Sequence, residues 1–219
     1  QYSEENITLE NLISSTYCLL SERDYSDNAG NTFNEGGYGS SFAFRQVDGY
    51  SYLITNQHVV GELEQNLNGK IYNRNNVNIK IIDSKFDNNK DDDIPLEIVF
   101  ESKELDLAIL RTEEKLNFLP EKNLQLSSNL KYGEEVYIVG FPLGMFPSVT
   151  EGIVANPGLY PFHYEFEDKL NGITVPNSSR KVLDLSANPG NSGGPLFVKK
   201  DGQLYWAGII SAYLIHNAG

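Results

Sequence analysis

The chain has 219 residues, a hydrophobic content of 40% and a formal net charge of −13, from 30 acidic and 17 basic residues. That length suits one domain with a substantial core, or two small halves that share an interface. The excess of acid argues against nucleic-acid binding, which depends on Lys and Arg neutralising phosphates. No apolar run approaches the roughly 18 residues of a membrane helix, so we expect no membrane span.

Cys18 is the single cysteine of the chain, so no intramolecular disulfide can form and packing must hold the fold together. Its apolar neighbours Tyr17 and Leu19 predict a buried side chain rather than a nucleophile. The lack of disulfides fits a cytosol and equally a bacterial periplasm or a secreted protein, which leaves the compartment open. The chain begins at Gln1, so we expect that a leader or a longer parent has been removed.

Short apolar and aromatic runs, broken by Gly, Pro, Asn and Asp, follow one another along the chain and predict strands. Helix is limited to Leu9–Ser14, a turn after His58 and part of the polar connection Glu113–Gly133. The predicted strands are Thr16–Leu20, Ser40–Phe44, Tyr50–Thr55, Val77–Ile82, Leu96–Phe100, Leu107–Arg111, Glu135–Val139, Val149–Val154, Lys181–Leu185, Pro195–Val198 and Tyr205–Ala212. So many short strands separated by turn residues predict an all-β barrel or sandwich.

The segment GNSGGPL at 190–196 is the strongest local signal for chemistry. A serine hydroxyl is a weak nucleophile that must be exposed and lie next to a base. Glycines around Ser192 permit tight backbone conformations and let a substrate carbonyl approach closely. They also let the amides of Gly190 and Ser192 point at one spot, as an oxyanion hole requires. A plain glycine-rich turn between strands is the structural alternative.

The same string satisfies the Gly-x-Ser-x-Gly elbow of α/β-hydrolases, which requires an acid and then a histidine after the serine. After Ser192 only Asp201 and His216 remain, close to the last strands. Pro195 and a β-type run also follow, where an elbow would begin a long helix. We therefore reject the esterase alternative.

Two further segments supply a candidate base and a candidate acid. In YLITNQHVV at 52–60, His58 follows an apolar strand, and histidine is the usual general base near neutral pH. In ELDLAILR at 104–111, Asp106 stands at the start of another apolar strand, where it could accept a hydrogen bond from the Nδ1–H of His58. Taken singly, each residue is as easily explained as an ordinary strand-end side chain.

Together the three motifs resemble the trypsin/chymotrypsin-like serine proteases, whose triad follows the same order of His, Asp and Ser. The similarity is strongest to the bacterial HtrA/Deg-type peptidases, through TNQHVV, DLAIL, VGFPLG, VTEGIVA, GNSGGPL and AGIISAY. It runs from about residue 38 to the end of the chain. The resemblance implies an all-β fold of two six-stranded antiparallel β-barrels, with the active site in the cleft between them. One half would span 1–120 and carry the histidine and the aspartate, and the other would span 121–219 and carry the serine.

The resemblance also implies the role of each site residue. His58 would be the general base, Asp106 its orienting acid and Ser192 the nucleophile, with an oxyanion hole made by the amides of Gly190 and Ser192. No cofactor and no metal would be needed. A polypeptide substrate would lie extended against the substrate-binding residues Ser211, Ala212 and Tyr213.

The specificity pocket is implied to have Ser186 at its floor and Tyr213 on its wall. Because no carboxylate stands at the floor, we expect small or medium uncharged P1 residues rather than Arg or Lys. Asn191 precedes the nucleophile where the disulfide-rich animal relatives have an aspartate, so activation by a newly freed N-terminus is not expected.

Two alternatives to a constitutive peptidase stay open. The chain could be a latent protease that needs a partner, or a catalytically silent module that binds peptides or proteins. HtrA-type enzymes usually carry a peptide-binding PDZ domain, and 219 residues leave no room for one. We therefore leave open whether a regulatory domain is attached outside this chain or supplied by a partner.

Overall fold

The structure is a computed structural model that describes residues 7–83, 92–119, 123–124, 129–157 and 182–211. Strands dominate these residues, and the predicted all-β class is confirmed. The elements are α1 (Leu9–Ser14), β1 (Thr16–Ser26), β2 (Thr32–Val47), β3 (Tyr50–Thr55), α2 (Gln57–Val60), β4 (Glu64–Leu67), β5 (Lys70–Ile82), β6 (Ile94–Ser102), β7 (Leu107–Thr112), β8 (Glu135–Gly140), a 3₁₀ helix (Pro142–Gly144), β9 (Ser148–Asn156), β10 (Val182–Asp184), β11 (Pro195–Lys200) and β12 (Gln203–Ile209).

The first sheet closes into a six-stranded antiparallel barrel. Its strands follow the order β1, β2, β3, β7, β6 and β5, and β1 pairs back onto β5. Strand β4 forms a hairpin with β5 outside this ring. Alternate residues of β3 point inward, with Ser51, Leu53 and Thr55 buried, as the two-residue period of a strand requires. Leu53 joins a core that includes Leu19 and Leu110.

The second sheet has five described strands in the order β10, β9, β8, β11 and β12. Its buried side chains form a core of their own, which includes Val136, Ile138 and Val198. No pairing that would close this sheet occurs among the described residues. The second six-stranded barrel and the division of the chain into 1–120 and 121–219 therefore remain predictions.

A third apolar cluster joins the two sheets, with Phe42 of β2 at its centre. The Phe42 ring is fully buried and meets the Phe197 ring of β11 edge-on, with 5.6 Å between the ring centroids. It also contacts Trp206 of β12 at 5.5 Å. Leu12 from α1 and Val139 from β8 complete the contact. The sheets are thus held by aromatic packing, which fixes where their loops meet.

The turn that carries Ser192, residues 190–194 (the Ser192 loop), lies directly against the barrel. Gly193 has a φ of +83°, a backbone conformation that residues with a side chain rarely adopt. A Cβ at Gly193 would lie 2.2 Å from the carbonyl oxygen of Ser40 and 2.2 Å from Oγ1 of Thr55. This position therefore excludes any side chain, because both the backbone conformation and the packing against β2 and β3 forbid one.

Cys18 is buried as predicted, with 1% of its surface exposed. Burial raises the pKa of its thiol to about 12, so the thiolate form is negligible near neutral pH. The predicted helix at Leu9–Ser14 and the helical turn around His58 are also confirmed. Among the described residues, no helix is long and apolar enough to cross a membrane.

Removing the Phe42 ring should destabilise the fold strongly. We expect Phe42→Ala to lower the free energy of unfolding by about 3 to 5 kcal/mol, because it leaves a cavity between the two sheets. The matched control Phe118→Ala removes a ring that is 39% exposed and should cost no more than about 0.5 kcal/mol. Urea unfolding followed by fluorescence measures both. Equal losses would show that Phe42 does not hold the sheets together.

A methyl group at Gly193 should cost more than one at a similarly strained but open position. Gly202 has a φ of +76°, and a Cβ added there would have no other atom within 4 Å. Gly202→Ala should therefore cost only the backbone strain of about 1 to 2 kcal/mol. Gly193→Ala adds the clash with Ser40 and Thr55, which contributes about 1 to 3 kcal/mol more. Urea unfolding of the two variants checks this, and indistinguishable values would contradict the packing argument.

Candidate active site

His58 is the one exposed residue of α2, the single helical turn that follows β3. Gln57, Val59 and Val60 are buried on the inner side of this turn and anchor it to the barrel. The His58 side chain is 38% exposed and points toward Asp106. The imidazole is therefore placed by its buried neighbours while remaining accessible to solvent and substrate.

Asp106 lies directly before β7 and receives hydrogen bonds from several groups. The Nδ1 atom of His58 lies 2.9 Å from Oδ1 and 3.0 Å from Oδ2 of the carboxylate, and the backbone N–H of His58 donates to Oδ1 at 3.1 Å. The Ser211 hydroxyl donates to Oδ2 at 2.6 Å. These bonds leave the carboxylate little freedom to turn away from the imidazole.

The backbone of Asp106 is also held in an uncommon conformation. Its φ is +49°, in the left-handed region that residues other than glycine seldom enter. The amide nitrogen of the buried Asn56 donates to the Asp106 carbonyl at 3.0 Å. Asn56 precedes Gln57 and His58, so one short segment positions both the imidazole and the backbone of its acid partner.

The charge state of Asp106 follows from these contacts. Burial opposes ionisation of the carboxyl, but hydrogen bonds from His58 and Ser211 offset this and hold the pKa of Asp106 below its ordinary value. An ionised carboxylate can only accept hydrogen bonds, so the facing Nδ1 atom must carry a proton. The Nε2 atom of neutral His58 is then left as an acceptor, which is the state that a general base requires.

The Ser192 loop carries the two amides that the sequence predicts for an oxyanion hole. Among the described residues, neither the Gly190 N–H nor the Ser192 N–H donates a hydrogen bond to another backbone group. The carbonyl of Pro189 accepts from the N–H of Leu143 at 2.7 Å. Because the peptide is trans, the Gly190 N–H points away from Leu143.

The loop has no room for a side chain at Gly190, whose φ is +98°. A Cβ there would lie 2.4 Å from the carbonyl oxygen of Phe141 and 2.6 Å from the Leu143 nitrogen. No hydrogen bond joins the Ser192 hydroxyl to His58 in the part of the chain that the structure describes. His58 and Asp106 are thus hydrogen-bonded to each other, and neither bonds to the Ser192 hydroxyl among the described residues.

The four predicted substrate-binding residues fall into two groups. Ser186 lies exposed in the segment between β10 and the Ser192 loop, and Ser211 is partly buried after β12. Ala212 and Tyr213 lie outside the described residues, as does the end of the predicted strand Tyr205–Ala212. The hydroxyl of Ser211 binds Asp106, a contact that the sequence analysis did not foresee.

Sequence reasoning also missed Asn56 and Ser40, both of which bind groups of the site through hydrogen bonds. Asn56 could have been singled out as a polar residue between a buried strand and His58. Ser40 gives no such signal. Within the described residues, no cluster of three or more His, Cys, Asp or Glu side chains could hold a metal ion.

Comparison with known proteins identifies a family and several related sequences. The profile of the trypsin-like peptidase domain matches residues 39–205. A probable periplasmic serine endoprotease, DegP-like, of Pseudomonas fulva is 32% identical over 83% of this chain and 30% of its own length. A serine protease, HtrA-like, of Staphylococcus aureus is 30% identical over 80% of this chain and 20% of its own length. The chain thus spans less than a third of the length of these relatives.

The fold has counterparts among solved structures. The HtrA-type protease AlgW, solved with a decapeptide, superposes with a TM-score of 0.58 at 22% identity, covering 95% of this chain and 60% of AlgW. A second AlgW structure with a decapeptide gives a TM-score of 0.61 at 21% identity, covering 97% of this chain and 60% of that one. The relationship to HtrA/Deg-type proteins that the motifs predict is confirmed. Since the profile match covers more than half of its residues, the chain belongs to the trypsin-like peptidase domain family.

Proposed function

We propose that this chain is a serine endopeptidase domain that hydrolyses peptide bonds through Ser192, His58 and Asp106. The observation that supports this most directly is the His58–Asp106 pair, with Nδ1 2.9 Å from the carboxylate. The membership of the family and the HtrA/Deg relatives support the same reaction class. The decapeptide bound by AlgW supports a polypeptide as the substrate.

In the proposed reaction, the Ser192 hydroxyl attacks the scissile carbonyl while Nε2 of His58 accepts the proton. The carbonyl oxygen becomes an oxyanion, which the N–H groups of Gly190 and Ser192 stabilise. His58 then protonates the leaving amine, and an acyl-enzyme forms on Ser192. Water repeats the attack with His58 again as the base, which releases the acid product and restores the serine.

Asp106 keeps His58 in the right tautomer and stabilises the imidazolium that forms during each transfer. The Ser211 hydroxyl and the His58 backbone N–H, both bound to the carboxylate, fix its orientation. In this scheme no proton passes from His58 to Asp106. Although burial opposes ionisation, the hydrogen bonds from His58 and Ser211 hold the pKa of the Asp106 carboxyl below its ordinary value. No cofactor takes part in the proposed reaction.

The proposed substrate path has two parts. The peptide would lie extended along Ser211, Ala212 and Tyr213, and its P1 side chain would face Ser186. An uncharged hydroxyl at the floor provides no partner for Arg or Lys, so small or medium uncharged P1 residues are proposed. The halves 1–120 and 121–219 would then face each other across the bound peptide.

A latent protease that needs a partner or an attached domain is the alternative to a constitutive peptidase, and the absence of a Ser192–His58 hydrogen bond among the described residues fits either one. Catalytic hydrogen bonds are often long in unliganded enzymes and tighten when substrate binds. A latent enzyme would need an activator to complete the same step. A binding module would retain peptide affinity and never hydrolyse.

Labelling with a fluorophosphonate probe tests the proposed function. The wild type should label rapidly, and Ser192→Ala should lose labelling by about 10³-fold or more because the activated nucleophile is gone. The matched control Ser14→Ala removes an exposed hydroxyl of α1 and should label like the wild type. Folding of each variant is checked by thermal unfolding.

A folded wild type that does not label would contradict a constitutive peptidase. Labelling that appears only after a candidate activator peptide is added would then support the latent enzyme. Peptide binding without labelling under either condition would support the binding module.

A further inference from the structure

Ser40 is a residue of the barrel whose hydrogen bonds reach the Ser192 loop. It lies on β2 and is fully buried. Its hydroxyl donates to the Gly190 carbonyl at 2.7 Å and accepts from the Phe141 N–H at 2.9 Å. Its backbone N–H donates to the Ser192 carbonyl at 2.8 Å. One side chain and one amide thus join the first sheet to the segment that carries the proposed nucleophile.

The hydroxyl connects two segments of the second sheet that are remote in sequence. Phe141 directly follows β8, whereas Gly190 belongs to the loop before β11. The single hydroxyl pairs with a buried donor, the Phe141 N–H, and a partly buried acceptor, the Gly190 carbonyl, and removing it would leave both without this partner. The Ser40 carbonyl is itself held by the Thr55 hydroxyl at 2.7 Å, so the strand beneath the loop is fixed as well.

These bonds define the direction of the Gly190 N–H. The Ser40 hydroxyl holds the carbonyl on one side of the Gly190 Cα, and the Leu143 N–H holds the Pro189 carbonyl on the other. With both peptide planes anchored, the glycine cannot use the wide conformational range that it otherwise has. The Gly190 N–H belongs to the Pro189–Gly190 peptide that Leu143 holds, and the Ser40 hydroxyl holds the adjacent Gly190–Asn191 peptide. Without the Ser40 bond only one of the two planes stays anchored, so the direction of the N–H is less sharply fixed.

We propose that Ser40 is a positioning residue, whose hydroxyl holds Gly190 so that its N–H stabilises the oxyanion of the reaction. This role rests on the proposed function. Ser40 acts through Gly190 and does not touch the substrate. Because an oxyanion develops only in the transition state, loss of the hydroxyl should lower kcat and leave KM nearly unchanged.

The adjacent serine offers a matched control. Ser41 is also fully buried on β2, but its side chain faces the other side of the strand, and within the described part of the chain its hydroxyl donates only to the Tyr17 carbonyl, at 3.4 Å. Ser41→Ala therefore removes a buried hydroxyl one position away without touching the Ser192 loop. Both variants keep the backbone amide of Ser40, so the bond to the Ser192 carbonyl survives in each.

The experiment compares wild type, Ser40→Ala, Ser40→Cys, Ser41→Ala and Ser192→Ala by peptide hydrolysis, fluorophosphonate labelling and thermal unfolding. We expect Ser40→Ala to lower kcat and the labelling rate about 10- to 100-fold, somewhat less than outright loss of an oxyanion-hole donor. KM should change by less than about twofold, and Ser41→Ala should match the wild type in kcat within about twofold. Ser40→Cys keeps the shape but bonds weakly, so it should follow Ser40→Ala and tests the role if the alanine variant does not fold.

Each other outcome overturns a distinct part of the proposal. Equal kcat in Ser40→Ala and Ser41→Ala, in an active wild type, would contradict the role of Ser40 alone. A raised KM with unchanged kcat would show a contribution to substrate binding and would contradict it too. A wild type as inert as Ser192→Ala would contradict the proposed function itself, and the positioning role with it.

Discussion

The Ser192 loop packs against strand β2 of the barrel and is hydrogen-bonded to it, and the proposed active site depends on this contact. His58 and Asp106 belong to the barrel, whereas Ser192 belongs to the second sheet. Their relative position therefore depends on how the loop meets the barrel, through the hydrogen bond that the Ser40 N–H donates to the Ser192 carbonyl at 2.8 Å and the close packing of Gly193.

Aromatic packing between the two sheets stabilises this fold, which has no internal disulfide. The single cysteine is buried and cannot form an internal bridge. The Phe42 ring instead meets Phe197 and Trp206 between the sheets. Because Phe42 lies two residues after Ser40 on β2, the apolar contact and the polar contact of the Ser192 loop come from one strand. The same strand thus stabilises the fold and positions the site.

The sequence predicted what depends on local pattern. Short apolar runs bounded by polar residues predicted both β3 and β7, and the motifs around His58, Asp106 and Ser192 gave the candidate triad, which remains a prediction. The hairpin of β4 and the first half of β5 was missed, because residues 70–78 are rich in Asn and lack a clear apolar face. The long extension of β1 beyond Leu20 was missed because three consecutive charged residues, Glu22, Arg23 and Asp24, interrupt the apolar pattern, although Arg23 is buried in the structure.

Other features could not be predicted because they depend on contacts between distant segments. The left-handed backbone of Asp106 is held by Asn56, fifty residues earlier in the chain. The hydroxyl of Ser40 binds Gly190 across a separation of 150 residues. A serine in a strand that also contains apolar residues is common, and only the folded structure shows that this one faces the Ser192 loop. The second six-stranded barrel likewise depends on strands that the described residues do not supply.

The central claim is that His58, Asp106 and Ser192 act as one catalytic unit, and its most direct test is a double-variant comparison. Peptide hydrolysis is measured for His58→Ala, Ser192→Ala and the double variant, each checked for folding. If the residues act as a unit, the double variant should be about as slow as Ser192→Ala alone, because the first substitution already removes the shared step. Losses that multiply in the double variant would contradict the account, since they would show that His58 and Ser192 contribute independently.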